Sequence, residues 1–544
     1  MCGIFALLNY VRHKDNNQVC AHIKKYFMKG NSRGPEKSTF QYHEKRDVFL
    51  GFHRLAINGY GKATSEQPLL KSDCLLICNG EIYNWKQLSE QIDVECTSGS
   101  DCEIIIHAYR KYGIKHTLQM LDGVFAFILW DIKSNHIYIA RDTFGVRPLF
   151  MWTYKNFYMK TIYLFASEMK MALQDAHLST QVIQFPPGTV STFSYSAAQE
   201  FVFMETSTFS QPNSFINNTI QTEEAATQCI RESLQKAIIK RIHNTDRDIA
   251  CLLSGGLDSS LVAALVAAEY KLTGKTLHTW SIGMNGSEDL KYAKLVADHI
   301  GSIHHSIELT EKEFLGAIEE VIYAIESNDT TTIRASVGNW LICKYIKQQS
   351  DAKVVFNGDG SDEVCGGYLY FHYAPDAQAF DQECRRLLKD ISYFDVLRSD
   401  RSISSHGLEA RTPFLDRNFV QTYLSLPVEL RAHPQKKQCE KYLLRKAFEG
   451  TQLLPKEVLW RTKEAFSDGV SQQQCSWYEV IQQYALTKIQ AISPAKAEQA
   501  LYDQIYQKYY GPLEDKKAVL PYKWMPRFVE ASDASARTLA IYNT

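Results

Sequence analysis

Leu252-Leu253-Ser254-Gly255-Gly256-Leu257-Asp258-Ser259-Ser260 is the stretch on which the fold turns. The apolar run that leads into it, Ile249–Leu253, ends in a hydroxyl and glycine turn and passes straight into a helical pattern from Ser259. A strand, turn and helix of this kind make an anion cradle. Glycines let the backbone approach a pyrophosphate, Ser254 and Ser259 offer hydroxyl donors, and the amides opening the helix point at negative charge. Asp258 cannot bind phosphate itself, but a carboxylate there makes sense if it holds Mg²⁺, which takes oxygen ligands shared between protein and phosphate. The bland alternative is a sharp turn in which Asp258 caps the helix.

A second loop obeys the same logic. Val354-Val355-Phe356-Asn357-Gly358-Asp359-Gly360-Ser361-Asp362-Glu363 also follows an apolar strand and sets three carboxylates within five residues. Unpaired they repel one another, and a metal ion or plain solvation relieves that. In an open parallel sheet, loops at the carboxyl ends of strands line one crevice, so both loops can face the same nucleotide. With Leu277–Ile282 as a further apolar strand ahead of a helix from Leu290, the pattern predicts a parallel sheet covered on both faces. From about Phe380 onward the chain reads as mostly helical. Gly274-Lys275-Thr276 lacks the upstream glycine of a Walker loop, and neither loop carries Gly-x-Gly-x-x-Gly.

The first 190 residues read differently. Ile4–Asn9, Val48–Ile57, Cys74–Cys78, Val124–Asp131, His136–Ala140 and Tyr163–Ala166 are short apolar or alternating runs ended by turn residues. Helical patterns at Val19–Met28, Trp85–Gln91 and Asp101–Tyr112 interrupt them, which predicts a layered α+β domain. Between Ser194 and Glu223 the composition shifts to Ser, Thr, Gln and Asn, the mark of a connection. The expected division is 1–193, a connecting segment 194–223, and 224–544.

Composition excludes several classes. Sixty Lys+Arg against 61 Asp+Glu leave a net charge of -1, so no global field calls for nucleic acid or an anionic membrane. No apolar run reaches the roughly 18–20 residues of a membrane span. The 13 cysteines contain no Cys-x-x-Cys pair, against both a zinc site and a disulfide framework. No basic stretch precedes the N-terminal apolar run, so the cytoplasm is the expected compartment.

Cys2 precedes Gly3 and a strand, so removal of Met1 places a thiol and a free α-amine on one residue, a nucleophile with its own base. Asn79-Gly80-Glu81-Ile82-Tyr83-Asn84 follows another strand and can supply a side-chain amide and a backbone N–H to an oxyanion. Arg54 offers a fork for a carboxylate. Asp101 either accepts from an ammonium group or caps the next helix. A nucleophile, an oxyanion hole, one cation and one anion together suit glutamine.

Both halves resemble the glutamine-hydrolysing asparagine synthetases. The resemblance rests on Met1-Cys-Gly-Ile, Ser32-Arg-Gly-Pro, Arg54-Leu-Ala-Ile, Asn79-Gly-Glu-Ile-Tyr-Asn, Ser100-Asp-Cys-Glu, Ser254-Gly-Gly-Leu-Asp-Ser-Ser, Thr331-Thr-Ile-Arg, Gly407-Leu-Glu-Ala-Arg-Thr-Pro-Phe-Leu-Asp and Arg461-Thr-Lys-Glu-Ala-Phe-Ser-Asp-Gly. It implies an αββα sandwich of the N-terminal-nucleophile hydrolase type, then an α/β parallel-sheet ATP pyrophosphatase domain with a helical C-terminal part, and a homodimer. Glutamine, aspartate and ATP are the implied substrates, with Mg²⁺ as the metal. On that resemblance Cys2 is the nucleophile, Asn79 and Gly80 form the oxyanion hole, and Arg54, Glu81 and Asp101 hold glutamine. Leu252, Ser254, Gly255, Gly256, Asp258, Ser259, Ile282, Asn357 and Gly358 meet ATP, and Asp258 and Asp362 meet the metal. Lys463 stands at the reaction centre, and Thr331 and Arg334 stand near aspartate. A tunnel between the halves carries ammonia.

Three positions depart from that pattern. Asp359 replaces a glutamate that is a candidate base for ammonia, Asn357 replaces a serine, and Ser32 replaces a histidine. Losing a methylene retracts the carboxylate by roughly 1 Å, a displacement worth on the order of 100-fold where attack geometry counts. Rival readings are an amide-forming relative with another acceptor and a non-catalytic binding protein on the same scaffold.

Overall fold

The computed structural model describes residues 1–10, 16–155, 160–174, 179–212, 215–464, 466–471, 476–512 and 518–543. Residues 213 and 214 of the expected connection, and Ala465 of the motif beginning at Arg461, lie outside the described residues.

Among the described residues, twelve strands build the first half: β1 (Gly3–Leu8), β2 (Lys37–His43), β3 (Val48–Arg54), β4 (Leu69–Lys71), β5 (Cys74–Ile82), β6 (Gly123–Asp131), β7 (His136–Arg141), β8 (Phe150–Lys155), β9 (Thr161–Ala166), β10 (Ser179–Gln184), β11 (Thr189–Tyr195) and β12 (Phe201–Thr208). They form two antiparallel sheets, β10-β8-β9-β1-β3-β2 and β12-β11-β7-β6-β5-β4. Side-chain alternation explains the layering. In β1, Ile4, Ala6 and Leu8 fill the space between the sheets with Phe52, Ile77, Ile128 and Phe165. Phe5 and Leu7 face the other way, onto Ile23 and Phe27 of the Asn16–Phe27 helix. With both faces covered, every residue of β1 is buried. The second sheet turns Leu76, Cys78 and Phe127 toward Leu88, Ile104 and Ile105 of the Trp85–Ile92 and Glu103–Met120 helices. Helix, sheet, sheet and helix stack as the αββα reading requires.

The connection is shorter than composition implies. Residues 194–223 include the end of β11 and all of β12, which pair from Tyr195↔Phe201 to Thr189↔Thr208. Most of β12 faces solvent on an edge, so its Thr and Ser resemble a linker, while Phe201 is buried edge-on to Trp130.

The second half carries β13 (Ile249–Leu252), β14 (His278–Met284), β15 (Ile303–Leu309), β16 (Val354–Phe356) and β17 (Glu409–Arg411), all parallel, in the order β15-β14-β13-β16-β17. Cys251 and Phe356 pack on one face with Leu261 and Leu234, and Ala250 and Val355 pack on the other with Val337 and Trp340. β17 falls in a region whose sequence reads as helical. Two of its three residues are charged, and both turn to the first half.

Those charges belong to a buried seam. Arg33, with no exposed surface, donates to Asp400 at 2.7 and 3.2 Å, to Ser404 Oγ at 2.9 Å, and through Nε to the Cys2 carbonyl at 2.9 Å. Glu326 accepts from the backbone N–H groups of Met169 and Lys170 at 2.7 and 2.9 Å and pairs with Arg401. Asp400, Arg401 and Ser404 lie on the Asp395–Ser404 helix. At about 100° per residue they occupy the side opposite Asp395, Arg398 and Ser399.

Removing one partner of a buried ion pair leaves a charge uncompensated, at about 3–5 kcal/mol. Asp400→Ala is therefore expected to lower the unfolding free energy by about 3 kcal/mol, the lower end, because Glu168 stays 3.4 Å from Arg33. Asp298→Ala, whose pair with Lys294 is exposed, is expected to change it by less than about 0.5 kcal/mol. Urea titration of both variants checks the contrast.

Candidate active sites

The first site lies where β1 begins beside β5. The Cys2 N–H donates to Asn79 Oδ1 at 3.1 Å, and the thiol lies 3.6 Å from the Leu55 carbonyl. Asn79 Nδ2 is buried with no hydrogen-bond partner. An unpartnered amide donor next to a thiol is what an oxyanion requires. Gly80 is dictated by strand contact, since a Cβ there would come within 2.4 Å of the Val124 carbonyl on β6. Burial raises the Cys2 thiol pKa and pushes the Met1 amine down to about 6; that amine sits 3.4 Å from the Leu408 carbonyl and 3.9 Å from Glu409.

Asp101 does not cap the helix that follows it. Cys102 occupies the cap position, while Asp101 Oδ2 accepts from the Ile82 N–H at 2.7 Å and from Asn244 Nδ2 at 3.2 Å. Glu81 Oε2 accepts from Asn58 at 2.6 Å and Asn244 at 2.9 Å, with Arg411 at 3.5 Å. Burial pushes both carboxyls above their usual range. Arg54 donates to the Gly59 carbonyl at 2.9 Å and to Ser65 Oγ. Asn244 and Arg411 come from the second half; no local pattern in the sequence marks Asn244, and Arg411 belongs to the motif beginning at Gly407, which gave it no role at this site.

The second site is a cavity of about 220 Å³ at the carboxyl edge of the parallel sheet. Leu252, Ser254, Gly256, Asp258 and Ser259 line it from the first loop, and Asn357, Gly358, Asp359 and Asp362 from the second. Of the other predicted residues, Ile282, Thr331 and Lys463 also line it. Gly255 turns the chain at φ +75°, where a Cβ would meet the Ala293 N at 2.5 Å, and it does not line the wall. Arg334 does not reach the cavity either. Its guanidinium is held by Glu498 at 2.8 and 2.6 Å and by Asp533 at 2.6 and 2.9 Å.

Charge is arranged with care around the two loops. Lys441, 1 % exposed, lies 2.6 Å from both Asp258 and Asp362, and Lys463 lies 2.7 Å from Asp362. Burial alone raises the Asp362 pKa, but the two ammonium groups outweigh it and hold the carboxyl well below its usual range. Ser361 Oγ donates to Asp258 at 2.8 Å. Asp359 meets Arg398 at 2.8 Å and Asn357 Nδ2 at 2.7 Å, and Arg398 also pairs with Asp395. Burial pushes the Asp359 carboxyl up to about 6, with Arg398 opposing and Asp395 adding to the rise. Sequence reading missed Lys441, Arg398 and Asp395. Among the described residues no three His, Cys, Asp or Glu side chains converge on a metal position. Two carboxylates facing a polyphosphate cradle nevertheless fit Mg²⁺, which completes its shell with phosphate oxygens and water.

The chain matches the Asparagine synthase family over residues 229–379 and 373–522 and the Glutamine amidotransferase domain over residues 1–228. It is 40% identical over 580 residues to the glutamine-hydrolysing asparagine synthetase of Gallus gallus, covering 100% of this chain and 99% of that one. The chain belongs to the glutamine-hydrolysing asparagine synthetases. The Homo sapiens synthetase of the same name is 38% identical over 576 residues, again across 100% of this chain and 99% of the relative. A glutamine phosphoribosylpyrophosphate amidotransferase from B. subtilis aligns at 19% identity and TM-score 0.30, over 50% of this chain and 64% of that one, an overlap that carries no weight.

In this synthetase the two cavity loops touch at Gly358, where a Cβ would lie 2.7 Å from Asp258 Cβ and 2.8 Å from the Ser259 N. Gly358→Ala must push the loops apart by about 1 Å and is expected to cut ATP-dependent pyrophosphate release on the order of 100-fold. Gly316→Ala, which meets nothing within 4 Å, is the control expected to keep it.

Proposed function

We propose that this chain makes asparagine from aspartate in an ATP-dependent reaction, with nitrogen drawn from glutamine at Cys2 and the aspartate activated as β-aspartyl-AMP. The observation that carries the reading is the pairing of two complete constellations in one chain: a thiol beside an unpartnered amide donor, and a carboxylate- and lysine-lined cavity at a phosphate cradle.

Cys2 Sγ attacks the glutamine amide carbon, and the oxygen that turns negative is met by Asn79 Nδ2 and the Gly80 N–H. The C–N bond breaks, ammonia leaves with the proton given up by the thiol, and water then frees glutamate from the cysteine. Arg54 and Asp101 hold the two charged ends of the glutamine backbone, and Glu81 shares their pocket. Loss of Met1 exposes the amine that takes the thiol proton.

In the cavity, the aspartate side-chain carboxylate attacks the α-phosphorus of ATP and pyrophosphate departs. Leu252, Ile282 and Gly358 face the adenosine, while Ser254, Gly256 and Ser259 face the phosphates. Asp258 and Asp362 are the residues that would hold Mg²⁺, and Mg²⁺ supplies neutralisation of pyrophosphate charge. Lys463 stabilises the phosphate oxygens that gain charge. Ammonia attacks the acyl carbon, Asp359 takes its proton, and AMP leaves. Thr331, on the cavity wall, faces the acceptor. Ammonia that met bulk water between the sites would be protonated, so transfer between them requires a passage closed to bulk water. The twelve described cysteines are all free, which suits the reducing cytoplasm.

Cys2→Ala is expected to abolish asparagine formation from glutamine and to retain it from ammonium, read as AMP, pyrophosphate and asparagine together. Pyrophosphate released only with an acceptor other than aspartate would overturn the substrate. The Asp359 carboxyl works as its anion, so turnover measured at a fixed concentration of free NH3 is expected to fall as pH drops through about 6, near tenfold for one unit below it. An acid limb absent from the pH profile, or one that persists in Asp359→Asn, contradicts that role.

A further inference from the structure

Two of the positions at which this chain departs from its family's pattern lie against each other. Asn357, 4% exposed, directs its amide nitrogen at both Asp359 Oδ2 and Ser399 Oγ, each at 2.7 Å. Its amide oxygen accepts the Asp359 N–H at 3.3 Å. The other Asp359 oxygen meets Arg398 Nη2 at 2.8 Å. Asn357 and Arg398 thus meet opposite oxygens of the carboxylate, Ser399 also bonds to it, and all three are fixed from the Asp395–Ser404 helix: Arg398 and Ser399 belong to it and Asn357 is tied to it through Ser399.

The lengths are complementary. Asparagine reaches one bond further than serine, about 1.3–1.5 Å, and aspartate falls short of glutamate by about the same. A serine at 357 could not span the gap to the retracted carboxylate. A glutamate at 359 would drive its carboxylate past the Asn357 amide. A turn between Asn357 Oδ1 and the Asp359 N–H would form beside either carboxylate, so it does not explain where the amide nitrogen points.

We propose that Asn357 is a positioning residue for Asp359, its amide standing in for the methylene that the carboxylate lacks, so that the two departures form one compensated unit. The proposal rests on the reading of Asp359 as the acceptor of the ammonia proton. Without the Asn357 amide, Asp359 keeps only Ser399 against Arg398, and the carboxylate shifts toward Arg398. A displacement near 1 Å at an attacking nitrogen is worth on the order of 100-fold.

The test uses the full-length enzyme with ammonium, aspartate and ATP, comparing Asn357→Ser, Asp359→Glu and the double variant for kcat, KM for ATP and melting temperature. Each single change is expected to lower kcat at least tenfold, and the double variant to return to within about threefold of the parent, a rescue that loss of packing does not give. Additive losses, an unchanged Asn357→Ser, or a loss confined to KM for ATP would each overturn the positioning role. Should Asn357→Ser fail to fold, Ser399→Ala removes the second anchor of the same amide. It is expected to cost several-fold more in kcat in the parent than in the double variant, where only its own bond to the carboxylate is lost, and equal losses in both overturn the proposal. Asp359→Asn that keeps full ammonium-driven kcat would instead remove the reading of Asp359 itself.

Discussion

A guanidinium sealed from water must find its counter-charge inside the protein, and Arg33 finds Asp400 across the seam between the two halves. The same group donates to the Cys2 carbonyl, so the backbone at Cys2 is anchored to a helix of the second half. The first site is therefore not self-contained. Asn244 and Arg411 complete its acidic pocket, and Leu408 and Glu409 receive the buried N-terminus. Charges that would be costly if unpaired are used to define how one half docks on the other.

Strands buried on both faces were the legible part of the fold. Ile4–Asn9, Val124–Asp131 and Val354–Phe356 are continuous apolar runs, and the observed strands follow them within a few residues. Most strands that escaped are edges or short pieces, although the interior strands β8 and β11 escaped as well. β2 is polar at every second position, β12 presents most of its residues to solvent, and β17 is three residues of which two serve the seam. An edge strand lacks the apolar signature because half of its environment is water. That is why residues 194–223 read as a linker.

The cavity was legible where one stretch of chain carries its own chemistry. Both loops do so, since strand, glycine turn and helix start are contiguous. Lys441 was illegible because a lysine ahead of an apolar helix looks like any surface lysine until two distant carboxylates close on it. Arg334 shows the reverse. Its place one turn beyond Thr331 on the Thr330–Gln349 helix directs it near the cavity in sequence terms, yet Glu498 and Asp533, some 160 and 200 residues away, capture its fork.

The Asp395–Ser404 helix has a consequence for how this sequence can drift. One side of it serves the cavity and the other the seam, and the register between them is set by the count of residues from Ser399 to Asp400. Inserting or deleting a single residue there would rotate everything downstream by about 100°. Asp400 would leave Arg33 while Arg398 stayed on Asp359. Substitutions along this helix can be absorbed one at a time, but a change of length cannot. Length variation among relatives should therefore gather in the loops and be absent from these ten residues.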